Sequence, residues 1–186
     1  GRGAEKQPGH FRHSQNWIGG TRPGNAVFVP PPPDRVEELM GALERFLHDE
    51  RTSPLLKAAL AHVQFETIHP FLDGNGRVGR LLITFLLTER GVLHKPVLYL
   101  SHYFKQHRQA YYDHLQRVRD HGDWEGWLKF FLRGTAEVAA ESAETARRIL
   151  QMREEHRAAI TERLGRGAAN GHKVLEWLYQ RPIVAV

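Results

Sequence analysis

Apolar residues recur at spacings of three and four along most of this chain, the mark of helices that bury one face. Val36, Leu39, Met40, Leu43, Phe46 and Leu47 form the first such stripe. Asp34, with Glu37 three positions on, gives it a start resembling a capping box. Ser53 and Pro54 open a second helix as N-cap and first helical residue, with Leu56, Leu60, Val63 and Ile68 on its apolar face. A third runs from Arg77 to Arg90, turns Val78, Leu81, Leu82, Phe85 and Leu86 inward and stops at Gly91. Beyond the apolar link at 97–100, another helix is predicted from Ser101 to about Asp120. Gly122 and Asp123 break and recap the chain. Trp124, Trp127, Leu128, Phe131, Leu132, Thr135 and Val138 then begin a long helix, continued by Ala139, Thr145, Ile149 and Met152 to about Leu164. Residues 165–171 read as a linker, after which Val174, Leu175, Leu178 and Tyr179 start a helix that Pro182 ends.

One region departs from this period. The runs 17–20 and 26–29 are short and β-like, and Pro23-Gly24-Asn25 between them is a turn signal, so they predict a single hairpin. An isolated hairpin is not stable in water, so it must lie on the helical body with one edge free for another strand. Pro30 to Pro33 follow as a stiff polyproline strut. The fold class expected is all-α, a helical bundle with one short β-hairpin. Residues 1–164 form the main domain, and 165–186 are a linker and the opening of a module too short to fold alone.

Length and charge narrow the partners. A chain of 186 residues is enough for one domain that buries roughly 70% of its unfolded surface. Net charge is +5 and pI 9.7, with the arginines spread along the chain and not gathered into a block, so general nucleic-acid binding is not demanded. There is no cysteine, which excludes a disulfide framework and thiolate metal sites. No apolar run approaches a membrane span and no signal-peptide pattern opens the chain, so a cytoplasmic protein is expected. Residues 1–16 hold much glycine, little periodicity and no initiating Met, which gives the expectation of a piece cut from a longer chain within a loop.

The chemistry concentrates in residues 66–81. His69, Asp73, the turn Gly74-Asn75-Gly76, and Arg77 and Arg80 fall between two predicted helices. A turn leading into a helix N-terminus presents backbone N–H groups and the positive dipole end to one point, a cradle for phosphate. Arg77 and Arg80, three apart, can lean over that end and reach successive phosphates. Asp73 is a hard oxygen ligand beside the cradle, where a divalent cation shared with the phosphates would sit. His69 is left as the base, its ordinary pKa near 6.5 suiting that role. Gly74-x-Gly76-x-x-Gly79 also spells a dinucleotide fingerprint, but neither the preceding strand nor the later acidic residue is present. It is no P-loop, because no Gly-Lys-Ser/Thr follows.

His69-Pro70-Phe71-Leu72-Asp73-Gly74-Asn75-Gly76-Arg77-Val78-Gly79-Arg80 resembles the Fic motif, His-x-Phe-x-(Asp/Glu)-Gly-Asn-Gly-Arg-x-x-Arg, at every specified position. The resemblance implies a Fic-type helical bundle and a protein adenylyltransferase that moves AMP from ATP to a Ser, Thr or Tyr hydroxyl of a target protein or of itself. It implies His69 as general base, Asp73 as Mg²⁺ ligand, Gly74, Asn75 and Gly76 as the anion hole, and Arg77 and Arg80 as contacts to the outer phosphates. Tyr111 and Tyr112 resemble a pair that lies near the adenine in such proteins. Residues 16–33 resemble the flap, with Ile18, Gly19, Gly20, Thr21, Ala26, Val27 and Phe28 docking an extended target segment by strand addition. Residues 165–186 then look like a linker and the start of a truncated winged-helix module.

Alternatives stay open at this point: a UMP, phosphocholine or phosphate donor at the same site, or a non-enzymatic DNA-binding or interaction regulator. Homodimerisation is also open, and a membrane partner is not expected. Proteins resembling this one carry an inhibitory helix with a Ser/Thr-x-x-x-Glu-Gly/Asn motif, whose glutamate pairs with the second motif arginine, here Arg80. The chain has only Glu125-Gly126 as a partial match, with His121 where Ser or Thr is required. Arg80 is therefore expected to lack a carboxylate partner.

Overall fold

The computed structural model describes residues 9–93 and 98–181. The predicted Pro182 stop and Val97 lie outside the described residues. The helices are α1 (Val36–His48), α2 (Pro54–Ile68), α3 (Asn75–Glu89), α4 (Leu100–Gln106), α5 (Arg108–His121), α6 (Trp124–Leu164) and α7 (Ala168–Gln180). The chain divides into two compact units after Val138, inside α6.

In the first unit α2 is the central rod. Ala58, Ala59, Ala61, Val63 and Ile68 are fully buried on it, and Phe65 nearly so. Small alanines let neighbours approach from several sides at once, so the helix is buried almost all round and has no single apolar face. One cluster joins Ala58, Ala59 and Val63 to Ile83 and Leu87 of α3, Phe104 of α4, Tyr111 and Leu115 of α5, and Trp127 and Phe131 of α6. The buried Trp127 indole donates to the Ala59 carbonyl at 2.9 Å. A second cluster packs Val36 and Leu43 of α1 on Ala61, Phe65 and Ile68, with Leu39, Met40, Phe46 and Leu47 partly buried against it.

Several local expectations change. Leu56 and Leu60 are only half-buried, and Lys57, His62 and Glu66 take buried places on α2. On α3 Gly79, Ile83 and Leu87 are buried and the predicted Leu82 and Leu86 pack partly against the core, whereas Val78, Leu81 and Phe85 are 40%, 48% and 61% exposed. Gly79 sets that rotation: a Cβ there would lie 2.7 Å from Glu66 Oε1 and 3.1 Å from the Phe65 ring, so α3 turns its glycine onto α2. The 3₁₀ turn Pro33–Arg35 precedes α1, and neither Asp34 nor Ser53 makes a side-chain cap bond. The helix predicted from Ser101 to Asp120 breaks at His107 (φ −103, ψ 40), with no glycine or proline to signal it.

The hairpin shrinks to one antiparallel bridge, Ile18 with Phe28. Gly19 and Gly20 both have positive φ (70° and 66°), which ends the extended strand at once. Residues 23–25 form a 3₁₀ turn, and the Asn25 Oδ1 accepts from the N–H groups of Thr21 and Arg22, both at 2.9 Å.

In the second unit the later part of α6 and α7 lie antiparallel around the 3₁₀ turn Gly165–Gly167, so α7 begins at Ala168, inside the stretch read as linker. Glu176 bridges Arg153 (2.6 Å) and Arg157 (3.0 Å), and a Cβ at Gly171 would meet Ile160 at 2.7 Å.

Candidate active site

The site forms where α2 ends and α3 begins. His69 caps α2 in the left-handed region (φ 50, ψ 59), a conformation a non-glycine residue holds only when its surroundings enforce it. Arg12 supplies that enforcement. Its guanidinium, in a residue only 1% exposed, donates to the carbonyls of His69 (2.9 Å), Ile68 (3.3 Å) and Pro31 (2.5 Å), and its backbone N–H donates to Pro70 O at 2.8 Å. A cation on the last carbonyls of a helix also opposes its dipole.

The His69 side chain is 19% exposed, and its Nδ1 lies 3.4 Å from Glu66 O. Burial pushes its pKa down to about 4, with the Glu66 carbonyl opposing and the Arg119 and Arg12 charges assisting. His69 is thus neutral at pH 7 and its basicity is lower than the ordinary value expected from sequence.

Asn75 closes the loop that follows. Its Oδ1 accepts from Phe71 N–H (2.9 Å) and its Nδ2 donates to Phe71 O (2.7 Å), so its buried side chain is spent on the backbone. What Asn75 and Gly76 offer a ligand is their N–H groups. Intrahelical bonding in α3 starts with Arg77 and Val78 N–H donating to Gly74 O, and the earlier amides have no carbonyl behind them. Gly74 sits at φ 85, which turns the chain into α3.

Asp73 accepts from Gly74 N–H at 2.7 Å through Oδ1, and its Oδ2 is 3.7 Å from Arg77 Nη2. Its side chain is half exposed. No group of three His, Cys, Asp or Glu is assembled among the described residues. That donor set does not suit an all-protein metal cage; a single exposed carboxylate beside a helix N-terminus would suit Mg²⁺, which keeps waters and substrate oxygens as ligands.

Arg77 and Arg80 open onto a groove of about 820 Å³, lined further by Tyr99, Lys105, Arg108, Tyr111 and Tyr112. Arg80 lies over Gly76, 3.1 Å from where a Cβ would stand, and forms no ion pair among the described residues. The tyrosine pair separates. Tyr111 is buried, its hydroxyl 2.9 Å from His62 Nε2, and burial pushes its pKa up. Tyr112 is 48% exposed with Arg108 over its ring at 5.8 Å.

On the flap, Ile18, Ala26 and Phe28 are half-buried, while Gly19, Gly20, Thr21 and Val27 are exposed. Phe28 lies under the Arg119 guanidinium, 4.0 Å from its ring centre, and Asn16 Nδ2 donates to Phe71 O at 3.1 Å. The first contact ties the flap to α5 and the second to the loop that follows His69.

Sequence reasoning missed Arg12, Glu66, Arg119, Lys105 and Arg108. Glu66 alone had a usable signal, standing one helical turn before His69. Arg12 sits in a stretch without periodicity.

Residues 2–87 match the Fic/DOC family. The chain is 40% identical over 125 residues to a protein adenylyltransferase Fic of Aedes aegypti and 39% identical to that of Culex quinquefasciatus, in each case 66% of this chain and 22% of the relative. A Fic family protein from Desulfovibrio desulfuricans G20 superimposes with a TM-score of 0.69 at 31% identity, over 78% of this chain and 44% of that one. The chain carries a Fic/DOC family domain and spans about a fifth of the length of these curated relatives.

Proposed function

We propose that this protein transfers AMP from ATP to a Ser, Thr or Tyr hydroxyl of a protein target or of itself. The observation that carries the reading is the joint placement of a neutral histidine, fixed by Arg12 in a left-handed cap, and a helix N-terminus with free amides beside Arg77 and Arg80. The names of the relatives, protein adenylyltransferases, support the same chemistry.

Nε2 of His69 takes the hydroxyl proton as the oxygen attacks the α-phosphorus and pyrophosphate departs. The amides of Asn75 and Gly76, with Arg77 and Arg80, bind the phosphates and hold them in line. Asp73 would hold Mg²⁺, which supplies charge neutralisation on the phosphates when bound. Tyr112 and Arg108 give the groove a flat, polarizable wall for a purine. The flap takes the backbone of an extended target segment along an edge left outside the Ile18–Phe28 bridge, leaving the target's identity to other contacts.

The test is incubation with ATP labelled at the α-phosphate and Mg²⁺. Label enters protein, and His69→Ala lowers the rate by about 100-fold or more while leaving ATP affinity within about threefold. Equal labelling by the variant removes His69 from the mechanism.

A further inference from the structure

Glu66 stands one turn before His69 and has no part in the chemistry above. The residue is 5% exposed. Its Oε2 is 3.9 Å from His69 Nδ1, and its Oε1 is buried without a hydrogen-bond partner. Gly79 is what makes room for it, since a Cβ there would come within 2.7 Å of Oε1. A buried carboxyl with an unsatisfied oxygen costs stability, so its position calls for a role outside packing.

The groups that face it are His62 and His69 from α2 and its cap, Arg80 from α3, and Arg119 and Tyr111 from α5. Burial raises the Glu66 pKa to about 7, against the pull of Arg80 and Arg119. Neither arginine forms an ion pair with it; Arg119 donates instead to the Glu66 backbone carbonyl at 3.0 Å.

We propose that Glu66 is a positioning residue for His69, its carboxylate accepting a hydrogen bond from Nδ1–H while Nε2 takes the proton of the attacking hydroxyl. The inference rests on the AMP-transfer reading. In the step, the hydroxyl oxygen bonds to the α-phosphorus, the bond from that phosphorus to pyrophosphate breaks, and the hydroxyl proton rests on Nε2. The imidazolium so formed keeps its Nδ1–H, now aimed at a negative charge. A buried imidazole is a weak base by itself, and a carboxylate on its far nitrogen fixes the tautomer and stabilises the protonated ring. The 3.9 Å contact must shorten by about 1 Å, as contacts of this kind do when substrate closes a site.

The carboxylate is lost first on acidification, near pH 7, whereas the ring itself protonates near 4. The acid limb of the rate therefore reports Glu66.

Two readouts test this. In ¹⁵N-histidine NMR of the wild-type protein, His69 is the Nδ1–H tautomer and its shifts inflect near pH 7, an inflection that Glu66→Gln abolishes. In transfer from α-labelled ATP, Glu66→Gln lowers kcat by roughly 10- to 100-fold, leaves KM for ATP within about twofold and moves the acid limb from near 7 toward 4. Gln keeps the size of Glu, and circular dichroism checks its fold. The wild-type tautomer and inflection decide the matter even if the variant does not fold. An Nε2–H tautomer, no inflection near 7, or a Gln variant with wild-type rate and limb overturns the proposal. An inflection lost in the variant, with no transfer by either protein, supports the pairing and sinks the transfer reading instead.

Discussion

Arg12→Ala removes the clamp on the end of α2, and its cost can be worked from the contacts. Four carbonyls lose a donor: Ile68 O, which is buried, and His69 O, Pro31 O and Ser14 O, which are partly buried. Each unsatisfied acceptor costs about 1–3 kcal/mol, the low end where water enters the vacated space. Against this, the variant no longer desolvates a guanidinium, whose pKa burial lowers. The balance is a loss of about 2–4 kcal/mol, or roughly 10 °C in Tm for a unit of this size. Urea denaturation reads it as a lower midpoint at unchanged slope. Arg12→Lys keeps the charge but not the fork, and falls between the two. Transfer activity of the Ala variant, measured well below its melting point, also drops, because His69 loses the bond on its carbonyl. A stability change under about 1 kcal/mol, or full activity in the folded variant, refutes the assignment of Arg12 as the clamp.

Asp73→Ala weakens activity by losing metal and Arg77→Ala by losing a phosphate contact, so raised Mg²⁺ partly rescues the first only; identical behaviour across a Mg²⁺ titration refutes the separation. Their own 3.7 Å contact is exposed and adds little stability. Deleting residues 21–25 abolishes transfer to a protein target and leaves ATP affinity, measured by calorimetry, largely unchanged; loss of ATP binding makes the flap a structural element. Stability also depends on pH. His62 and His69, lowered to about 4, are neutral in the fold while the unfolded chain protonates them, so each costs about 3 kcal/mol as pH falls from 6.5 to 4. Glu66, raised to about 7, holds a proton in the fold that the unfolded chain has released, so it adds about 3 kcal/mol as pH falls from 7 to 4.5. Stability falls on acidification overall, and more steeply in Glu66→Gln; an equal or shallower slope in that variant contradicts the buried state of Glu66.

The helices and the motif were legible because each rests on local rules. Ser53-Pro54 marks the start of α2, Gly91 and Gly122 mark stops, and the twelve residues from His69 to Arg80 are contiguous. What escaped depends on contacts distant in sequence. Arg12 reaches His69 across 57 residues, and Arg119 reaches Glu66 across 53, so no window contains either pair. The inward face of α3 is legible only in part: Leu82 and Leu86 pack against the core as the spacing predicts, but the same spacing also favours Val78, Leu81 and Phe85, while the helix turns on Gly79, a residue without a side chain to count. Tyr111 and Tyr112 are neighbours in sequence but lie about 100° apart on a helix, so both border the groove while Tyr111 is buried in the core and Tyr112 stands exposed.

The central claim is that the α-phosphorus of ATP is the atom transferred. Protein incubated with Mg²⁺ and ATP labelled at either the α- or the γ-phosphate separates the possibilities in one measurement. The account predicts label in protein from the α position only, lost in His69→Ala. Label from the γ position, or none from the α position in folded protein offered a hydroxyl-bearing target, contradicts it.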